Sequence, residues 1–168
     1  MNPLIRHIPV FAGLLLLLPL SACMDTTGSS EYHYDNTPDL EYLEENRDKE
    51  GVEETESGLQ YRELEAGDEE GEKPTANSTV RIHYTGWFVD GSIFDTTKDT
   101  NQPLEYPVNG FIDGWIEGLQ LMSVGSNYEF VIPAKLAYGE EGARNQNGVF
   151  IVPPGATLIF EVELLAIL

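Results

Sequence analysis

Val80-Arg-Ile-His-Tyr-Thr-Gly-Trp-Phe-Val-Asp-Gly-Ser-Ile-Phe-Asp95 is the stretch on which the reading of this chain turns. Its first half alternates, placing Val80, Ile82 and Tyr84 on one face of an extended strand and Arg81 and His83 on the other. Asp90-Gly91 breaks the pattern between Phe88-Val89 and Ile93-Phe94. The pair predicts a type I′ hairpin, because both central positions of that turn need positive φ. A hairpin with one apolar face cannot bury that face alone, so further strands must be sought on either side.

They are found in both directions. Gly58-Leu-Gln-Tyr-Arg-Glu-Leu64 alternates and reads as a strand, followed by a Gly-, Glu- and Pro-rich loop from Ala66 to Pro74. Asn127-Tyr-Glu-Phe-Val-Ile-Pro133 places Tyr128, Phe130 and Ile132 on one side. The run from Ala156 to Ile167 is the longest strand, with Leu158, Phe160, Val162 and Leu164 facing inward. Between them Asp113 predicts an N-cap for a short helix over 114–122, with Ile116 and Leu119 at i and i+3 facing the core. Several strands and one short helix imply an α+β fold, an antiparallel sheet covering the helix.

Composition limits what such a domain can do. The chain has 168 residues, 29 of them Asp or Glu and 9 Lys or Arg, for a formal net charge of −20. That balance opposes sequence-independent nucleic-acid binding, which relies on cations neutralising phosphates, and it opposes a basic patch on anionic lipid. The hydrophobic fraction of 41% suffices for a core. A single cysteine closes no intramolecular disulfide and supplies no Cys-rich zinc site. His7 precedes the domain, His33 lies in an acidic stretch and His83 alternates outward, so neither a metal site nor a catalytic triad is spelled by the histidines.

The amino-terminal third reads differently. Arg6 and the apolar run Ile8–Leu20 match a signal peptide and are too short to span a bilayer comfortably. Leu20-Ser21-Ala22-Cys23 resembles a bacterial lipobox. The resemblance implies a signal peptide over 1–22 and diacylation of Cys23, which supplies the two chains that stable anchoring requires. Met24 after the cysteine, where the inner-membrane retention pattern has Asp, points towards the outer membrane. Residues 24–57 are acidic and carry no sustained period, so they predict a solvated tether, with at most a transient helix over 39–49 where Leu40 and Leu43 lie at i and i+3. The expected division is a lipidated amino terminus and tether over 23–51 and a folded domain over 52–168.

The strings Val80–Asp95, Gly114-Trp-Ile-Glu-Gly-Leu119, Met122-Ser-Val-Gly125, Ala137-Tyr-Gly139 and Val152-Pro-Pro-Gly-Ala-Thr-Leu-Ile-Phe-Glu-Val-Glu-Leu164, in this order, resemble the FKBP-type peptidyl-prolyl cis-trans isomerases from about Gly58 to the carboxyl terminus. The resemblance implies a strongly bent antiparallel sheet wrapped around one short helix, and an enzyme that accelerates rotation about X-Pro bonds without cofactor or metal. It also implies a site. Asp95 and Tyr138 are the implied catalytic residues, and Tyr84, Phe94, Phe111, Ile112, Trp115, Ile151 and Phe160 bind substrate. Trp115 is the floor under the proline ring, and Ile112 contributes its backbone N–H. Partners implied are proline-containing, partly folded envelope proteins and macrolides of the FK506 and rapamycin class, with the membrane reached through the lipid anchor and the domain facing the periplasm. Three departures stand out: Leu104 where many members have Phe, Thr100 where a basic residue often faces the Asp, and a long 139–150 segment beside the pocket. A non-catalytic proline-binding chaperone module and a structural envelope lipoprotein are the alternative readings of the same chain.

Overall fold

A computed structural model of the chain describes residues 34–68, 70–100 and 102–168; the expected signal peptide and Cys23 lie outside them. The elements are α1 (Thr37–Arg47), β1 (Glu53–Glu54), β2 (Gln60–Glu65), β3 (Thr79–Trp87), β4 (Ile93–Thr96), β5 (Leu104–Pro107), α2 (Asp113–Leu119), β6 (Asn127–Ile132), β7 (Ala143–Arg144), β8 (Phe150–Val152) and β9 (Leu158–Ile167), with short 3-10 turns between several of them. The main sheet is antiparallel, in the order β1-β2-β6-β9-β3-β4. The free side of β3 is shared: its last residues pair with β4 and its first four with β5. The α+β class and the positions of β2, β3, β4, β6 and β9 agree with the sequence pattern, whereas β1, β5, β7 and β8 lie where no strand is expected from it. The helices number two among the described residues rather than one.

The register explains where the core lies. Opposed residues in an antiparallel ladder share a face, so Tyr61, Phe130, Phe160 and Gly86 form one row across β2, β6, β9 and β3. Val80, Ile82, Tyr84, Phe130, Ile132, Leu158, Phe160, Val162 and Leu164 are buried on this side, as their alternation predicts, and α2 packs over them.

How α2 packs corrects the expectation for that helix. It starts at Asp113 with Ile112 as its N-cap, so Asp113 lies inside the first turn and does not cap it. Trp115 and Leu119 are buried and Ile116 only half-buried. Gly114 and Gly118, one turn apart, face the sheet. A β-carbon on Gly114 would lie 2.5 Å from Ile132 Cγ2, and one on Gly118 would lie 2.8 Å from the Phe130 ring. The helix therefore lies against β6 at a distance that no side chain could occupy, and the inward face is set by glycine as much as by the apolar residues.

The hairpin over β3 and β4 also differs in detail. Phe88 N–H donates to Ser92 O at 3.0 Å and Gly91 N–H to Phe88 O at 2.9 Å, with Gly91 at φ +82°. This is the three-residue loop in which glycine takes the left-handed position after the turn, not a two-residue type I′ turn. Asp90 Oδ1 accepts from Ser92 N–H at 2.8 Å and steadies the loop.

Residues 37–47, expected to be tether, form a helix seated on the domain. Its apolar residues do little of the seating: Leu40 is 55% exposed, and Tyr42 and Leu43 are only half-buried. Asp39 and Asn46 are each 1% exposed and face inward, seven positions and two turns apart. Asp39 Oδ1 accepts from Thr157 N–H at 2.6 Å, and its Oδ2 accepts from Tyr34 OH at 3.0 Å. Asn46 Nδ2 donates to Gln60 Oε1 at 2.9 Å, and buried Gln60 returns a bond from Nε2 to Leu43 O at 2.9 Å. Polar groups removed from water generally need partners, and most of these have them; only Asn46 Oδ1 is left without one.

Gly118→Ala tests the close approach of α2. Alanine gains about 1 kcal/mol of helix propensity over glycine, but overpacking against a fully buried ring costs about 1–3 kcal/mol. Chemical denaturation should show a net loss of up to about 2 kcal/mol; a stabilised variant would mean that the helix can move away from β6 freely.

Candidate active site

The site grows from the carboxyl-terminal end of β3 and the start of α2. Trp115 is presented by the first turn of α2, and its indole meets three rings. Tyr84 of β3 stands at 5.2 Å between ring centres, edge-on at 89°; Phe160 of β9 at 5.1 Å and 90°; and Phe111 at 4.7 Å, nearly stacked at 30°. Edge-to-face rings of this kind contribute about 0.5–1.5 kcal/mol beyond their area. Phe94 of β4 continues the wall, 5.5 Å from Phe160. Trp115, Tyr84 and Phe160 are 3%, 5% and 3% exposed, whereas Phe94, Phe111, Ile112 and Tyr138 are half-buried at the edge of the same cluster. The expected residues thus divide into a buried floor and a half-open rim. Ile151 is the exception: it is half-buried on β8 and does not belong to the packed cluster.

Glycine again makes the geometry feasible. A β-carbon on Gly86 would lie 2.7 Å from the Phe160 ring and 2.8 Å from the Phe94 ring. The two rings meet over the bare backbone of β3. Sequence reasoning missed this residue, and it missed Phe88 and Tyr106, which support the rim rings from behind: Phe88 lies 4.7 Å from Phe94 and Tyr106 5.0 Å from Phe111. Their signal was present in the alternation of Leu104 and Tyr106, but alternation does not say which ring a side chain will meet. Leu104 is half-buried against the core opposite Ile82.

Polar groups at the rim are few and unevenly satisfied. Tyr84 OH donates to Asp95 Oδ2 at 2.6 Å. Burial pushes the Asp95 carboxyl above its ordinary value, and the hydrogen bonds from Tyr84 OH and the Thr96 N–H oppose that rise. Burial, followed by the bond to Asp95, raises the Tyr84 phenol. Burial and then the Asp95 charge push Tyr138 up to about 12, so its hydroxyl keeps its proton at neutral pH. No ion pair reaches Asp95 among the described residues; Lys98 is bonded to Glu161 at 2.8 Å, and Thr100 Oγ1 donates to Thr97 O at 3.3 Å. Asp95 therefore has a phenol as its partner where a cation is absent.

Two donors are left over. The Ile112 carbonyl accepts from Trp115 and Ile116 N–H at 3.0 and 3.1 Å, but the Ile112 N–H donates to no described residue. The N–H groups at a helix start have no intrahelical acceptor and are open to a ligand. The Tyr138 hydroxyl likewise has no hydrogen-bond partner among the described residues. No cluster of three or more His, Cys, Asp or Glu side chains suited to a metal occurs among them either.

The long 139–150 segment is built, not loose. It carries a 3-10 turn and the β7–β8 hairpin, whose tip is closed by Asn145 N–H to Val149 O at 2.9 Å. Asn145 Oδ1 accepts from the N–H of Asn147 and of Val149, and the Arg144 guanidinium lies 3.5 Å over the Phe150 ring.

The Asp95–Tyr84 pair makes a pH prediction. Folding raises the Asp95 pKa above the unfolded value of about 3.9, so the cost of ionising it is absent below about pH 4 and enters as pH rises through the folded value. Tyr84→Phe removes the opposing hydrogen bond and should raise that value further. Carboxyl-carbon NMR titration of Asp95 reads both; a midpoint at the unperturbed value, unmoved by Tyr84→Phe, would contradict the buried pair.

Comparison with known proteins places this arrangement. Residues 70–165 match the family model described as FKBP-type peptidyl-prolyl cis-trans isomerase, and residues 24–62 match the domain amino-terminal to it. The chain is 54% identical over 129 residues to the FKBP-type 22 kDa peptidyl-prolyl cis-trans isomerase of Escherichia coli, covering 77% of this chain and 59% of that protein. It is 50% identical over 127 residues to the FKBP-type isomerase FkpA of Aeromonas hydrophila, covering 76% and 44%, and 40% identical over 126 residues to the outer membrane protein MIP of Legionella longbeachae, covering 75% and 51%. It spans about half the length of these relatives. Among solved structures, a peptidyl-prolyl isomerase from Pseudomonas syringae superposes with a TM-score of 0.71 at 33% identity, covering 82% of this chain and 98% of that one. FkpA from Escherichia coli superposes at 0.68 and 39%, covering 76% and 56%. With its antiparallel sheet, its glycine-faced helix and the cluster of aromatic rings between them, the chain belongs to the FKBP-type peptidyl-prolyl cis-trans isomerase family.

Proposed function

We propose that this protein accelerates cis-trans rotation of X-Pro bonds in proteins folding in the bacterial envelope, working from a lipid anchor on Cys23. The carrying observation is the aromatic cluster in which Trp115 packs against Tyr84 and Phe160, with half-buried Phe94 and Phe111 and two donors unpartnered among the described residues at its rim. Rotation about an X-Pro bond must cross a barrier of about 18–20 kcal/mol, and uncatalysed exchange takes tens to hundreds of seconds. In the twisted transition state the amide has lost resonance, and its carbonyl is less polar than in either planar form. An apolar site that excludes water favours the twisted form over the planar ones, and only such a difference raises the rate.

The residues divide the work. The proline ring sits on Trp115 between Tyr84, Phe94 and Phe160, while Phe111 closes one side. The Ile112 N–H and the Tyr138 hydroxyl hold carbonyls of the substrate backbone, fixing the chain on either side of the rotating bond. Asp95, held by Tyr84, lies beside the carbonyl that precedes the proline, and Ile151 contacts the substrate from the β8 side. Neither nucleophile nor metal enters the reaction. Macrolides that present a proline-like ring to the same walls are expected ligands.

Support for the anchor comes from the Leu20-Ser-Ala-Cys23 string and from relatives such as the outer membrane protein MIP. Diacylation of Cys23 gives the two chains that durable anchoring requires, with the domain facing the periplasm.

Protease-coupled proline isomerisation with the full chain tests the activity. Trp115→Leu keeps an apolar floor with less volume, so it should melt cooperatively and lose about tenfold in kcat/KM, equivalent to about 1.4 kcal/mol of transition-state stabilisation. Asp95→Ala and Tyr138→Phe should each lower turnover with little change in KM. A wild-type chain that binds proline peptides without accelerating their exchange would make the pocket a holding module. Cys23→Ser should remove the lipid mass from the amino terminus and release the protein from membranes; identical unlipidated termini in both forms would refute the anchor.

A further inference from the structure

We propose that Asp39 is a positioning residue, through which helix α1 fixes the 153–157 turn and, with it, the Tyr138–Gly139 end of the pocket. The inference rests on the isomerase reading above for the identity of the pocket, and on contacts of this chain for the coupling. Asp39 Oδ1 accepts from the Thr157 N–H at 2.6 Å, 118 residues away in sequence, with both residues buried. One turn earlier Asn36 lies against the same turn: a β-carbon on Gly155 would come 2.7 Å from Asn36 Nδ2, and Gly155 has φ +72°. Gly155 N–H donates in turn to Gly139 O at 2.9 Å, and Gly139 follows Tyr138. Gly142 N–H donates to Tyr138 O at 3.1 Å, and a β-carbon on Gly142 would lie 2.5 Å from Val152 O. The path from α1 to the Tyr138 backbone thus consists of a buried carboxylate, two main-chain hydrogen bonds and contacts too close for any side chain.

The placement of these contacts argues for more than general stability. The turn they hold is the segment between β8, which bears Ile151, and β9, which bears Phe160 three residues past Thr157. The Tyr138 hydroxyl has no partner among the described residues, so its position is set by its backbone and by the packing of its ring against the core. A donor displaced by a fraction of an ångström loses much of its alignment with a substrate carbonyl. On the far side α1 is held independently by Asn46 and Gln60, so loss of the Asp39 contact leaves the helix attached and releases the turn.

The experiment compares Asp39→Ala, Asp39→Asn and Asn36→Ala in the full chain by isomerase kinetics, thermal melting and hydrogen–deuterium exchange. Asn at 39 keeps an oxygen for the Thr157 N–H; Ala does not. Asp39→Ala should lower kcat/KM about fivefold, mostly in kcat, and speed exchange in the peptides over 138–142 and 153–157. Asp39→Asn should restore both to within about twofold of wild type. Asn36→Ala should move both readouts in the same direction as Asp39→Ala and less far. It also decides the matter if Asp39→Ala does not melt cooperatively. Wild-type kcat, with faster exchange confined to residues 34–47, would overturn the proposal and leave α1 as a stabilising element only. Should the wild-type chain prove inactive, the isomerase reading fails by itself, and the exchange data still decide whether α1 holds the turn.

Discussion

Everything about the pocket depends on how close α2 lies to the sheet. Gly114 and Gly118 leave the helix without side chains on the line where it meets Ile132 and Phe130. The axis can then sit low enough for Trp115, the next residue, to reach between Tyr84 and Phe160. Interiors tolerate neither voids nor overlap, so a helix raised by one methyl group would shift the indole relative to all three rings it meets. Gly86 performs the same service in the sheet, giving Phe94 and Phe160 a place to meet. Three absent side chains thus set the position of five aromatic ones.

Against this apolar ring cluster stands a chain of net charge −20. The two are compatible because most charge is kept on the other face or at the edges, where it is partly paired: Arg62 with Glu129, Arg81 with Glu105, Lys98 with Glu161. Pairs that are exposed or only partly buried, as these are, contribute little to stability, about 0–1 kcal/mol each. Asp95 is different in kind. It is a half-buried carboxyl beside the ring cluster whose partner is a phenol, in a setting where burial raises its pKa and the Tyr84 bond limits the rise. The pair keeps a polar edge on an otherwise dry site.

The amino-terminal helix shows what composition cannot reveal. Residues 37–47 read as tether because they carry no apolar stripe, and an amphipathic pattern is the usual sign of a docked helix. The helix docks nonetheless, by one carboxylate and one amide at two-turn spacing, each buried and bonded to a group distant in sequence. The partner of Asp39 is a backbone N–H, which any residue at 157 except proline would supply, and no side-chain pattern marks it. A boundary at residue 52 cuts between this helix and the strand on which it rests.

The alternation of β3, β6 and β9, the Asp90-Gly91 turn and the short helix after Ile112 were legible because each follows from local chemistry: side-chain period, turn dihedrals, and the breaks made by glycine and proline. The joint resemblance carried the buried floor residues as well, and Tyr84, Trp115 and Phe160 do lie together. What the linear order left open was every feature that depends on which groups face each other across elements. The three-residue form of the hairpin loop, the glycine line under α2, the supporting rings of Phe88 and Tyr106, the separation of Ile151 from the packed cluster and the seat of α1 are all of this kind. Local preferences reach three or four residues along the chain, whereas these contacts join residues brought together only when the sheet packs against its helices. Close packing and the need to satisfy buried polar groups then decide which of them touch.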